Sequence, residues 1–151
     1  MIKSINHIGI SVQDMDRSLA FYRDILGMEV LNAAEYDDQP VVDTILGLKN
    51  ARVKVVMVGM GGVRFELFEF SHPKPKDHQP QQPVCEYGIS HFCLQVDDLH
   101  QEYERLLAAG VSFHCPPQEL GKPGAYGTYA RDPDGNVFEL IELPDGLDIA
   151  D

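Results

Sequence analysis

The sequence predicts an α+β fold made of two tandem modules, and three observations support this prediction. Residues 5–15 recur as residues 89–99, with an offset of 84 at every position. An amphipathic helical pattern follows each copy at nearly the same offset. Each half then closes with a strand pair joined by a glycine-containing turn. Strand and helix patterns that recur in step indicate an internal duplication.

The first module is predicted over residues 1–70. An alternating strand at residues 4–12 precedes Asp14, which is placed to cap a helix whose apolar residues lie three and four positions apart. Gly27 is placed to end this helix in a left-handed conformation. Three further strands are expected, at residues 28–36, 52–59 and 63–70. The acidic segment between the first two of these strands, residues 37–50, fits either a lid or a loop.

Proline residues mark residues 71–87 as a linker, because proline cannot donate a hydrogen bond to a sheet. The second module is predicted over residues 88–143 and repeats the order of the first. Its expected elements are a strand at 88–96, a helix from Leu99 ended by Gly110, a short strand at 111–114, a loop at 115–124, and a hairpin of residues 126–131 and 136–143. An acidic tail, residues 144–151, follows.

Composition and charge exclude several classes of function. Twelve basic against 24 acidic residues give a net charge of -12, which would repel a phosphate backbone, so nucleic acid is a poor partner. No apolar run approaches the roughly 20 residues that span a bilayer, and the N-terminus lacks an export signal. The three cysteines have no metal-binding or redox spacing and suit a reducing compartment, which favours a cytoplasmic protein with buried free thiols.

Two histidines and two glutamates form the candidate site. Side chains alternate between the faces of a strand, so His7 and His91 lie opposite the apolar residues that pack on the helix of each module. Glu66 and Glu139 stand inside apolar runs, where a carboxylate is costly unless it is paired or bound to a metal. Two imidazole nitrogens and two carboxylates suit one Zn(II), Ni(II), Co(II), Mn(II) or Fe(II) ion with open positions.

Other assignments compete with this site. A single strand histidine is more often a surface residue than a ligand, but recurrence in a duplicated frame reverses those odds. Glu69 and Glu142 are rival carboxylates of opposite parity, and the deeper pair, Glu66 and Glu139, is preferred. The remaining histidines are interpreted as structural or surface residues. Four apolar residues share the parity of the preferred glutamates and are candidates to line a substrate pocket: Phe68, Phe70, Val137 and Ile141.

Three segments resemble signatures of one family. They are His7-Ile8-Gly9-Ile10, then residues 21–28 (FYRDILGM), and residues 132–140 (DPDGNVFEL). In these segments the chain resembles the vicinal oxygen chelate superfamily, which contains glyoxalase I, methylmalonyl-CoA epimerase, extradiol dioxygenases and the fosfomycin and bleomycin resistance proteins. The resemblance extends over almost the whole chain. It implies two βαβββ modules that form a cupped mixed sheet around one divalent ion, the glyoxalase-like fold.

The resemblance also implies a chemistry and an assembly. In glyoxalases and epimerases the metal ligands correspond to His7, Glu66, His91 and Glu139, and the substrate is a small molecule that offers two vicinal oxygens. A proton next to a carbonyl is removed, so Glu139, with Glu66 as its partner, is the candidate for proton transfer. Asn32 replaces an arginine that glyoxalase I uses to hold glutathione, which argues against glutathione adducts, and few basic residues are placed for CoA. A homodimer is expected.

Three functions therefore remain open at the level of sequence. The first is a metal-dependent lyase or isomerase of glyoxalase type. The second is an Fe(II)-dependent dioxygenase, in which His7, His91 and Glu139 would form a two-histidine, one-carboxylate set. The third is a small-molecule binding protein of bleomycin-resistance type, because a net charge of -12 would attract a cationic drug.

Overall fold

The computed structural model describes residues 1–76 and 82–148. The chain divides into two compact units, residues 1–78 and residues 79–151. This division falls within the expected linker. No described helix is both long enough and apolar enough to cross a membrane.

The first unit is a four-stranded mixed sheet with its helical segments. Strand β1 (Ile8–Ser11) is followed by α1 (Met15–Leu19), which continues as π-helical turns over Ala20–Ile25. The remaining elements are β2 (Glu29–Asp37), α2 (Pro40–Leu46), β3 (Arg52–Met60) and β4 (Val63–His72). The strand order is β1-β4-β3-β2, with β1 parallel to β4 and the other pairs antiparallel.

The second unit repeats this topology. Its elements are β5 (Phe92–Gln95), α3 (Leu99–Ala108), β6 (Ser112–Phe113), β7 (Gln118–Glu119), β8 (Tyr126–Arg131) and β9 (Val137–Glu142). The strand order is β5-β9-β8-β6, and β5 is parallel to β9 as β1 is to β4. The expected α+β fold with two βαβββ modules is confirmed.

The helix ends form as the sequence predicts. Asp14 Oδ1 accepts a hydrogen bond from Arg17 N at 2.9 Å, and Asp98 Oδ1 accepts one from Gln101 N at 2.9 Å. These carboxylates satisfy backbone N–H groups that have no partner inside the helix. Gly27 follows the first helical segment with φ of 77°, a conformation in which a side chain would be strained.

Each core lies between the sheet and its helix. In the first unit, Phe65 and Leu67 of β4 are 3% and 0% exposed, and the ring of Tyr22 packs on Phe65 at a centroid distance of 6.2 Å. In the second unit, Phe138 and Leu140 take the same places on β9. Burial of one such side chain contributes about 1.5–3 kcal/mol. The opposite face of each sheet is left for the candidate site.

Several elements differ from the sequence-based expectation. β1 and β5 are shorter than the strands predicted at 4–12 and 88–96, because their parallel registers begin only at Ile8 and Phe92. Segment 37–50, expected as a lid or a loop, contains α2, and Asp43 accepts hydrogen bonds from the N–H groups of Asn50 and Ala51 at 2.7 and 2.8 Å. The predicted loop at 115–124 contains β7, which pairs with β8.

The prediction of buried cysteines is also wrong. Cys85, Cys93 and Cys115 are free thiols, as expected, but all three are exposed residues.

Candidate metal centre

The first unit brings together one imidazole and one carboxylate. His7 directly precedes β1, and Glu66 lies on β4 beside Gly9 in the parallel register. His7 Nε2 is 3.0 Å from Glu66 Oε2. The other ring nitrogen, Nδ1, donates to Asn6 Oδ1 at 3.0 Å. The side chains of His7 and Glu66 are 38% and 23% exposed, so the pair is open to small solutes.

The second unit builds the same pair at the matching place. His91 directly precedes β5, and Glu139 lies on β9 beside Cys93. His91 Nε2 is 3.3 Å from Glu139 Oε2, and Nδ1 is 2.9 Å from Ser90 Oγ. The side chains of this pair are 28% and 14% exposed. Each unit therefore carries one His–Glu pair, and we refer to each pair as a half-site.

The half-sites fit a divalent ion in their donor chemistry. With metal–ligand bonds of about 2.0–2.2 Å, neighbouring ligand atoms lie roughly 3.0–3.5 Å apart, and both Nε2–Oε2 distances fall in that range. A polar partner on Nδ1 orients the imidazole and leaves Nε2 available to a metal ion. Within the described part of the chain, no three His, Cys, Asp or Glu side chains gather into one metal-binding cluster. One unit alone thus offers two ligands.

The rival carboxylates serve the helices. Glu69 Oε2 accepts a hydrogen bond from the backbone N–H of Met15 at 2.9 Å, and Glu142 Oε2 accepts one from Leu99 at 2.7 Å. Met15 and Leu99 are the first residues of α1 and α3, where a negative charge is stabilised by the helix dipole. These two glutamates are therefore directed to the helix side of each sheet.

The two half-sites differ in the residues that surround the carboxylate. Glu66 has Gly9 and Met57 as its neighbours on adjacent strands, whereas Glu139 has Cys93 and Tyr129. Cys93 is exposed as a residue, but its thiol is partly buried beside Glu139. This burial, followed by the charge of Glu139 and a hydrogen bond to it, raises the pKa of the thiol to about 12. The thiol thus remains protonated and able to donate to the carboxylate.

Tyr129 also lies between two imidazoles. Its ring centroid is 4.9 Å from that of His91 and 6.0 Å from that of His114. Burial, and secondarily the charge of Glu139, raises the pKa of the Tyr129 phenol. Burial, with a contribution from Arg131, lowers the pKa of His114, which keeps this imidazole neutral over a wider pH range. The first unit has no aromatic ring at the position of Tyr129.

Sequence reasoning missed several of these neighbours. Asn6 and Ser90 carried a signal, because both precede a histidine at the shared offset of 84. Cys93 and Tyr129 gave none, since their proximity to Glu139 depends on which strands pair.

The expected pocket residues fall into two groups. Phe68 and Phe70 are half-buried, and their rings stack at 5.9 Å with an angle of 10°. A Cβ atom added to Gly9 would lie 3.4 Å from the Phe68 ring, which places this ring on the same face as the first half-site. Val137 and Ile141 are only 7% and 3% exposed. Accessible apolar surface beside a half-site is therefore found on β4.

Comparison with known proteins identifies the family. Residues 4–140 match the model of the Glyoxalase/Bleomycin resistance protein/Dioxygenase superfamily, and the chain belongs to this superfamily. The duplicated topology and the two His–Glu pairs described above agree with this assignment.

Individual relatives are distant in sequence. The chain is 25% identical to the mitochondrial methylmalonyl-CoA epimerase of Dictyostelium discoideum over 82% of this chain and 67% of the relative. It is 32% identical to an uncharacterized protein of Shewanella frigidimarina over 96% of this chain and 97% of the relative.

Solved structures share the fold. A glyoxalase family protein from Bacillus cereus aligns with a TM-score of 0.85 at 20% identity, covering 94% of this chain and 95% of the other. The fosfomycin resistance protein FosX of Listeria monocytogenes, solved in complex with Mn(II) and sulfate, aligns with a TM-score of 0.63 at 22% identity, covering 96% of both chains.

Proposed function

We propose that this protein is a divalent-metal-dependent lyase or isomerase of glyoxalase type, which removes a proton next to a carbonyl group. The observation that supports this proposal most directly is the repeated half-site. Each unit places an imidazole nitrogen within 3.3 Å of a carboxylate oxygen, and a polar neighbour holds the other ring nitrogen. Both modules have thus kept the pair and its orienting partner, although other residues of the repeat differ.

In this proposal the two half-sites complete one ligand set, with His7, Glu66, His91 and Glu139 as the ligands. Two nitrogens and two oxygens suit Zn, Ni, Co, Mn or Fe in the divalent state. When bound, the ion would polarise the carbonyl and stabilise the negative charge that develops when the neighbouring proton leaves.

The chain's own residues would supply binding and proton transfer. Glu139 is the candidate proton acceptor, with Glu66 as its partner, because its side chain is the less exposed and water competes less for its oxygens. Asn6 and Ser90 would hold the two imidazoles in orientation. Phe68 and Phe70 offer a half-buried apolar surface beside Glu66 for a non-reacting part of the substrate.

The substrate in this proposal is a small molecule with two vicinal oxygens, and the working form is a homodimer. Relatives named as epimerases support the proton-transfer chemistry at the level of the class. Asn32 in place of the glutathione-holding arginine argues against a glutathione adduct.

Thermal unfolding with divalent ions tests the proposal. Stabilisation by at least one of the five ions is expected, because an ion that binds only the folded state raises the melting temperature. Glu66→Gln and Glu139→Gln should each abolish the shift, while Glu35→Gln on the exposed strand β2 should retain it.

Two outcomes would favour the other functions. Stabilisation by a cationic drug such as bleomycin, without any response to metal, would indicate a binding protein. Oxygen uptake with a catechol in the presence of Fe(II) would indicate a dioxygenase.

A further inference from the structure

Four side chains form a row along one face of β4. Arg64, Glu66, Phe68 and Phe70 alternate with the core residues Phe65 and Leu67, and the register of β4 with β3 is regular from Arg64 to Phe70. The row therefore runs from a cation, through the carboxylate of the first half-site, to two stacked aromatic rings. The proposed function gives roles to the glutamate and to the two aromatic rings of this row but none to Arg64.

Arg64 is an exposed residue without an ion pair among the described residues. The other basic residues on the strands of the first unit are placed differently. Arg52 contacts Asp37, with Nε 2.9 Å from Oδ1. Lys54 lies opposite Glu69, on the other face of the sheet. Among these strand residues, Arg64 is thus the cation that shares a face with the half-site.

The second unit has no cation at the equivalent position of its row. In the aligned row of β9, Val137 stands two residues before Glu139, as Arg64 stands two residues before Glu66. Val137 is 7% exposed, and an unpaired charged side chain would be costly at this buried position. The second unit has a cation on the same face at Arg131, which lies opposite Val137. The guanidinium of Arg131 donates to the backbone carbonyls of Gly135 and Gln82 at 2.7 and 3.1 Å, whereas Arg64 has no ion pair among the described residues.

We propose that Arg64 binds a carboxylate of the substrate, beside the first half-site and on the same face of β4. Two residue steps along a strand, roughly 3.3–3.4 Å each, separate the backbone positions of Arg64 and Glu66. This inference rests on the proposed function, since it takes Glu66 to be a metal ligand.

The charge of the chain favours a carboxylate over a phosphate. A net charge of -12 repels anions over most of the surface, and the repulsion grows with the charge of the ligand. A carboxylate carries one negative charge and matches the two-pronged donor geometry of a guanidinium group. A single local cation is sufficient to orient such a group, but does not compensate a dianion.

Protocatechuate is a suitable probe, because its two vicinal hydroxyl oxygens stand across a ring from one carboxylate. Its methyl ester keeps the oxygens and the ring but carries no charge. Binding of both compounds to the full-length, Zn(II)-loaded protein would be measured by calorimetry, without turnover. Arg64→Gln is expected to weaken protocatechuate binding by at least about tenfold, because the charge-assisted contact of the guanidinium with the carboxylate is lost, and to leave ester binding within about twofold.

Lys54→Gln is the matched control. It removes the same charge from the same hairpin but on the opposite face, so it should leave the affinity for both compounds within about twofold. Arg64→Lys keeps the charge and should retain part of the preference for the acid. An unchanged ratio of acid to ester affinity in Arg64→Gln would overturn the proposal, as would failure of the wild-type protein to bind the acid.

Failure of the proposed function would look different. In that case Zn(II) would not improve the binding of the ester, and Glu66→Gln would leave ester binding unchanged. The response of the ester to metal thus reports on the half-sites, while the difference between acid and ester reports on Arg64.

Discussion

The two units have the same frame and the same His–Glu pair, but they differ in what surrounds that pair. His7 and Glu66 stand among Gly9, Met57 and the exposed Arg64. His91 and Glu139 stand among Cys93, Tyr129 and the buried Val137. Positions needed to build the pair are alike in both units, whereas positions that would meet a ligand differ. This pattern agrees with the proposed function, in which the shared pairs supply the metal ligands and the differing residues contact the substrate.

The supporting contacts are also shared. In each unit the residue before the histidine is the polar partner of its Nδ1. In each unit a second glutamate of the final strand accepts a hydrogen bond from the first backbone N–H of the helix. An imidazole whose other ring nitrogen already has a partner loses less side-chain freedom when a ligand binds. The following predictions test how far the likeness and the difference between the units extend.

The largest expected effect concerns the reactivity of Cys93, which lies beside Glu139 in the second unit where the first unit has Gly9 beside Glu66. Its pKa, raised from 9.0 to about 12, leaves little thiolate at pH 8, so we expect alkylation by iodoacetamide at least about 100-fold slower than for an unperturbed cysteine peptide. Because the pKa is raised, the rate should keep increasing with pH up to about 12. Mass spectrometry of the metal-free protein at several pH values would measure it, and a rate that levels off near pH 9 would contradict the assignment.

The next effect should be the same in both units. Glu69→Ala and Glu142→Ala each remove an acceptor from the first backbone N–H of a helix, and each is expected to lower the free energy of unfolding by about 1–2 kcal/mol. Urea denaturation would measure the loss. Metal binding by the folded variants should be unchanged, so a variant that keeps its stability but loses metal would show that the rival glutamates had been misassigned.

A smaller effect concerns the residues that orient the imidazoles. Asn6→Ala and Ser90→Ala remove the partners of His7 Nδ1 and His91 Nδ1, and each should weaken metal affinity by up to about tenfold. Competition with a chromogenic chelator would measure this change. Equal losses would support equivalent half-sites; a loss confined to one variant would show that only one histidine needs its partner.

The smallest effect concerns Gly9, which has the larger Cys93 as its counterpart in the second unit. A Cβ added at Gly9 would meet the Phe68 ring at 3.4 Å, an ordinary contact, so Gly9→Ala should change the free energy of unfolding by less than about 1 kcal/mol. Thermal or urea denaturation would check it. A larger loss would mean that the first half-site requires the close approach that only glycine permits.

Much of the frame follows from the sequence because its signals are local. Asp14 and Asp98 cap helices through bonds that span three residues, and Gly61 and Gly62 both adopt positive φ, at 57° and 86°. Because the modules are duplicated, an element recognised in one module predicts its counterpart in the other. Parity on a regular strand is also local information, and it predicted that Glu66 and Glu69 face opposite sides of β4.

The rest depends on contacts between distant segments. Helix α2 is held by hydrogen bonds from Asp43 to residues seven and eight positions later, which an acidic composition does not indicate. The thiol of Cys93 and the ring of Tyr129 meet Glu139 only through the pairing of three strands. The exposure of the cysteines, likewise, depends on packing and not on their spacing.

The central proposal is that the two half-sites bind one divalent ion together. Native mass spectrometry, which counts bound ions per chain in wild type, His7→Ala and His91→Ala, tests it most directly. We predict one ion per chain in the wild type and almost none in either variant, because each variant removes one of the four ligands and leaves one half-site incomplete. Two ions per chain in the wild type, or full occupancy in either variant, would show that the pairs act separately and would contradict the proposal.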